Sequence, residues 1–134
     1  MIDFEIDMFD EAARAAMAVC PEVYATSEHV TVPPRFPALW IEETVNASID
    51  SREDSSGEEQ ASSLTYTVNV YSNSQSAPKQ ECKTILQAVD AVMLHRNFTR
   101  VMAQTIDNAA DPTIYRMVAR YTGEVSADGT YYRR

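Results

Sequence analysis

Four residues at alternating positions, Ile114, Arg116, Val118 and Arg120, combine two guanidinium groups with two branched aliphatics. A strand turns alternate side chains to one face, so these four would share a surface. Arginine is always charged and carries donors in a planar fork that fits carboxylates. Arg mixed with apolar side chains marks protein–protein contact better than plain solvated surface. The intervening residues Tyr115, Met117, Ala119, Tyr121 and Val125 form the opposite face, built for a core. The expected chemistry of the polar face is recognition of a partner subunit, with Arg116 and Arg120 meeting acidic groups on a neighbour.

Acidic groups are concentrated elsewhere. Between Ala47 and Ser63 the chain reads ASIDSREDSSGEEQASS, with Asp50, Glu53, Asp54, Glu58 and Glu59 and almost no apolar side chains. Such a composition buries too little surface to offset ordering entropy. Loops of that length usually serve a function or are disordered. This segment is expected to dock on a partner or to line a passage.

Groupings that would support catalysis are missing. Glu42 and Glu43 are adjacent, so on a strand they point to opposite faces and cannot act together. His29 and His95 stand near no Cys or carboxylate pair at ligand spacing, and no metal is expected. Gly57, Gly123 and Gly129 are scattered and form no phosphate loop. The serines sit in loops, with no nucleophile elbow. Cys20 and Cys82 fall on apolar helical stripes, where thiols behave as small buried hydrophobes and stay reduced. His95 at a helix end interacts favourably with the helix dipole. No enzyme activity, cofactor or metal is expected.

The elements that must position these residues follow from periodicity. The spacing predicts a first helix from about Phe4 to Val19, with Asp3 as N-cap and Pro21 as its stop. Its core stripe is Ile2, Ile6, Phe9, Ala13, Ala16 or Met17, and Cys20, with Asp7, Asp10, Glu11 and Arg14 opposite. Val23-Tyr24 and Val30-Thr31-Val32 are short extended pieces among prolines. A strand is expected over Ala38–Val45, with Trp40 and Phe36 anchoring a core, or else a contact. Leu64–Ser72 is the clearest strand, with Leu64, Tyr66, Val68 and Val70 on one face. Pro78 opens a second helix to about Arg96, striped by Cys82, Ile85, Leu86, Val89 and Met93. Asn97 suits a left-handed C-terminal cap. A closing hairpin over Phe98–Val125 turns through residues 107–112. The order α-β-β-α-β-β predicts an α+β two-layer sandwich, two helices on a mostly antiparallel four-stranded sheet.

The 134 residues fit one domain. No apolar run reaches the ~18 residues a membrane span needs. The acidic, amphipathic N-terminus lacks the pattern of a signal peptide, so use inside a cell is expected, and the sequons at Asn46 and Asn97 then carry little meaning. The net charge is −9. Residues 1–60 hold fourteen acidic and three basic groups, and residues 61–134 hold six and eight. Overall acidity argues against nucleic acid as an affinity partner. The separation of charge allows one copy's acidic half to face another copy's basic half.

Taken together, FPALWIEE, a polar hairpin loop, LTYTVNVYSN, a helix and FTRVMAQTIDNAADPTIYRMVARYTGEV resemble the minor capsid or tail-terminator proteins of long-tailed phages. The resemblance spans about Pro34 to Val125 and is most specific at Tyr66–Asn73 and Pro112–Val125. It implies an α/β fold that forms a ring, usually a hexamer, at the head-proximal end of the tail tube. Such a ring stops tube polymerisation and offers a surface to the head connector, while DNA passes through its lumen without specific binding. It also implies assembly in the host cytoplasm and residence in the virion. A head-completion or neck protein, a tail-tube subunit and a monomeric binding module are the alternative readings.

Overall fold

Helix α1 spans Glu5–Val19 and helix α2 spans Pro78–His95. In the computed structural model the described residues are 1–29, 32–49, 61–107, 111–126 and 131–132. The strands are β1 (Tyr24–Thr26), β2 (Ala38–Ser48), β3 (Ala61–Ser72), β4 (Thr99–Thr105), β5 (Tyr115–Ser126) and β6 (Tyr131–Tyr132). They form one sheet in the order β1-β2-β3-β5-β4, with β6 beside β5. Both helices lie on one face, which makes the two-layer α+β sandwich that periodicity predicts.

The sheet is wider than the expected four strands and is mixed. β1 pairs with β2 in parallel, through Tyr24↔Ala38 to Thr26↔Trp40, and the other pairings are antiparallel. A three-residue strand is too short to show a period, and its pairing depends on where the chain returns. The hairpin strands also run further than expected. β2 continues to Ser48 and β3 begins at Ala61, so residues 47–48 and 61–63 belong to the sheet and not to the loop. Small Ser and Ala carry no apolar pattern, yet Ala61↔Ser126 and Ser62↔Val125 extend the ladder.

The core face of β3 and β5 is as the alternation predicts. Leu64, Tyr66, Val68 and Val70 meet Met117, Ala119, Tyr121 and Val125 beneath the helices. The stripe of α2 is wholly buried at Cys82, Ile85, Leu86, Val89 and Met93. The end of α2 is fixed by a Schellman motif. Asn97 takes φ 65°, its N–H donates to Leu94 O at 3.0 Å, and Phe98 N–H donates to Met93 O at 3.0 Å. The Phe98 ring then lies over Gly123, where a Cβ would come within 2.9 Å of it.

Helix α1 keeps most of its predicted stripe: Ile2, Ala13 and Ala16 are buried and Phe9 and Cys20 pack against the core, joined by Met8 and Ala12, whereas Ile6 is 76% exposed and Met17 43% exposed. In this rotation the Glu5 carboxylate accepts the Glu43 backbone N–H at 2.8 Å. Asp3 serves the first turn by accepting Glu5 N–H at 3.1 Å, with Phe4 at the N-cap position.

Candidate functional site

The outer face of the sheet, opposite the helices, carries the residues that alternation assigned to recognition. Arg116 stands across from Tyr71, Val118 across from Asn69 and Arg120 across from Thr67. Their fates differ. Ile114 is 5% exposed and Val118 4% exposed within the single chain. Ile114 packs with Ala38 and Tyr71, flanked by Tyr24, Phe36 and Trp40. Arg116 donates from Nε and Nη2 to Asn69 Oδ1 at 3.0 and 2.7 Å, and its guanidinium lies 5.6 Å from the centre of the Tyr71 ring. Arg120 is exposed and makes no hydrogen bond or ion pair among the described residues. The strand alternation put Arg116, Val118 and Arg120 on one face correctly. It could not show that residues of β2 and β3 already cover the aliphatic part of that face.

Trp40 and Phe36 are not deep core anchors. Trp40 is half-buried on the outer face, donates its indole N–H to Glu42 Oε1 at 2.9 Å, and stacks at a tilt on His29, 4.7 Å between centroids. Among the described residues, neither histidine joins a metal-ligating set. The loop residues Asp50, Glu53, Asp54, Glu58 and Glu59 lie outside the described residues.

On the helix side, one cluster links α2 to the β4–β5 hairpin. Tyr121 is fully buried and donates its hydroxyl to Asp90 Oδ1 at 2.6 Å. Arg100 donates to the same oxygen at 2.8 Å. Burial, with the Asp90 carboxylate next, pushes the Tyr121 phenol far above its ordinary value. A groove of about 200 Å³ opens beside this cluster, between α2 and β4. Leu86, Met117 and Ala103 supply apolar surface, with Lys83 and Arg100 at the rim. Sequence periodicity missed the groove, because it arises where a helix stops short of an edge strand.

A second polar cluster joins α1 to β2. Glu43 accepts from the Tyr66 hydroxyl at 3.1 Å and from Asn46 Nδ2 at 3.3 Å, and Asn46 also donates to Ile2 O at 2.6 Å. Desolvation raises the Glu43 carboxyl above its ordinary value, opposed by those hydrogen bonds. Asp3, Glu5 and Glu43 come close enough to share an ion. Each of these carboxylates has a hydrogen-bonding task within the chain, which accounts for the cluster as a clamp on the N-terminus.

Both thiols are free: Cys82 is buried, donates to Val70 O at 3.6 Å, and burial pushes it up to about 12; Cys20 is half-buried, and burial raises it too. These values describe inert structural cysteines. No helix is long and apolar enough to cross a membrane among the described residues.

Surfaces able to meet another molecule include the exposed part of the outer face around Arg120, the α2–β4 groove, the two ends of the sheet, and a cleft of about 590 Å³ lined by Thr105, Ile106, Ile114 and Arg116. The edges differ in charge. Residues 1–49, which form α1, β1 and β2, hold nine acidic and two basic groups, whereas residues 61–126 hold five and six. The strand order places the first set at one end of the sheet and β5-β4 at the other. The sequence matches no protein-family model and no curated protein.

Proposed function

We propose that this chain is a structural virion protein, a tail terminator of a long-tailed phage that assembles as a ring. The ring caps the head-proximal end of the tail tube, stops its polymerisation and presents an attachment surface to the head connector, while DNA passes through the lumen. One observation carries the reading: among the described residues the sheet ends at β1 and at β4, and the segment that supplies the first end is acidic whereas the segment that supplies the other is near neutral. An edge that complements the opposite edge of another copy makes a head-to-tail contact, and such contacts close into rings when the rotation allows. The segments with the most specific resemblance, Tyr66–Asn73 and Pro112–Val125, fall largely on paired neighbours at the centre of the sheet, with Tyr66↔Tyr121 and Ser72↔Tyr115 in register.

In this reading Arg120 faces a neighbouring subunit and the acidic segment with Asp50, Glu53, Asp54, Glu58 and Glu59 meets the tube, the connector or the lumen. Like-charge repulsion in an acidic lumen lets DNA slide without sticking. Electron microscopy of the purified chain separates the structural roles. Short closed rings are expected, long tubes would indicate a tail-tube subunit, and a monomer in light scattering would indicate a free-standing binding module. Removing residues 51–62 is expected to leave a soluble ring that no longer joins tails to heads; undiminished joining would exclude a docking role for that segment.

A further inference from the structure

The helical layer does not reach across the sheet. Helices pack about 8–10 Å apart and strands about 4.8 Å apart, so one helix shields roughly two strands. α1 lies against β2, and α2 lies against β3, β5 and, at its margin, β4. β4 is only partly covered, and all its residues but Met102 are exposed. Its residues Arg100 and Ala103 are exposed beside the α2–β4 groove, where Leu86 and Met117 line the floor and Lys83 stands on the rim. Asp90 in the same groove is already engaged by Arg100 and Tyr121. This is a place for a third helix that the single chain does not supply.

α1 carries the matching surface. Residues follow each other by about 100° around a helix. Met8, Ala12 and Ala16 face the sheet, and Glu11 faces α2, where it pairs with Arg96. Ile6 and Met17 then fall on the flank turned away from α2. Both are exposed, and Asp3, Asp7 and Asp10 are exposed near them. The flank is apolar with an acidic border, and the groove is apolar with Lys83 at its border beside the Arg100–Asp90 pair.

We propose that the Ile6–Met17 flank of α1 docks into the α2–β4 groove of the next copy, head to tail. This contact specifies how the ring of the preceding section is held together and rests on that reading. It repeats the helix order α1, α2 from copy to copy. It also brings the β4 edge of one copy toward the β1 edge of the next, where exposed Glu22 and Glu28 flank the three-residue strand.

The test uses the full chain with Ile6→Asp and, separately, Ala103→Asp. Both sites are exposed, and circular dichroism checks that each variant folds. Native mass spectrometry is expected to show a ring for the wild type and at least tenfold less assembled material for either variant alone, about 1.4 kcal/mol or more per contact. Mixing the two variants is expected to give a one-to-one dimer and nothing larger, because the pair retains one intact flank and one intact groove. A ring of wild-type mass from either variant, or no dimer on mixing, overturns this contact and leaves the ring reading standing. A wild type that stays monomeric at every concentration and salt overturns the ring reading, and this contact with it.

Discussion

Arg116 closes on the amide oxygen of Asn69 through two nitrogens, at 3.0 and 2.7 Å, across neighbouring strands. Asn69 is only 1% exposed, so its oxygen has no easy recourse to water. Arg116→Ala would leave that oxygen buried without this donor, and a stability loss of about 1–3 kcal/mol is expected in urea unfolding. Arg120→Ala, on the same face but exposed, is expected to change monomer stability by less than ~0.5 kcal/mol. The contrast separates a residue that holds the sheet from one available to a neighbour.

Tyr121 and Arg100 share one oxygen of Asp90. Tyr121→Phe keeps the ring and removes the 2.6 Å bond to a carboxylate, so a loss of ~2 kcal/mol is expected. Asp90→Ala should be worse, because it leaves the buried phenol unsatisfied. Equilibrium denaturation of both variants provides the ranking.

The φ of 65° at Asn97 predicts an ordering of substitutions. Asn97→Ala keeps the Cβ but loses the short polar side chain that lets Asn tolerate the left-handed region, and is expected to lose ~1 kcal/mol, whereas Asn97→Gly should be neutral or slightly stabilising. Thermal unfolding of the two variants checks the sign.

Glu43 predicts a pH dependence. Its carboxyl is raised above 4.5 by desolvation, so folding favours the protonated form. The folded state is therefore best served below the ordinary value, and this contribution is lost as pH rises from 4.5 through the raised value. Glu43→Gln keeps an acceptor for Tyr66 and removes the charge. The difference in melting temperature between variant and wild type should grow in the variant's favour across that window and then level off.

Cys82 is pushed up to about 12 by burial, and Cys20 is raised less and is only half-buried. Thiol labelling of the native chain near neutral pH is expected to modify Cys20 slowly and Cys82 only after denaturant is added. Rapid labelling of Cys82 in the native chain would show that α2 opens from the sheet.

The sequence alone determined whatever depends on a local period or a local backbone preference. The stripe of α2, the alternation of β3 and β5 and the left-handed Asn97 are of this kind, because neighbours a few residues apart set them. Tertiary structure decided which apolar faces were covered. α1 carries apolar residues around more than half of its circumference, and packing against the sheet and α2 took Met8 and Ala12 rather than Ile6 and Met17 into the core. Val118 reads as an exposed aliphatic on alternation, yet it is buried by the fold. The groove beside β4 arises where α2 covers that edge strand only in part. Coverage depends on pairings between residues far apart in sequence, such as Arg116 with Asn69, and no local period encodes them.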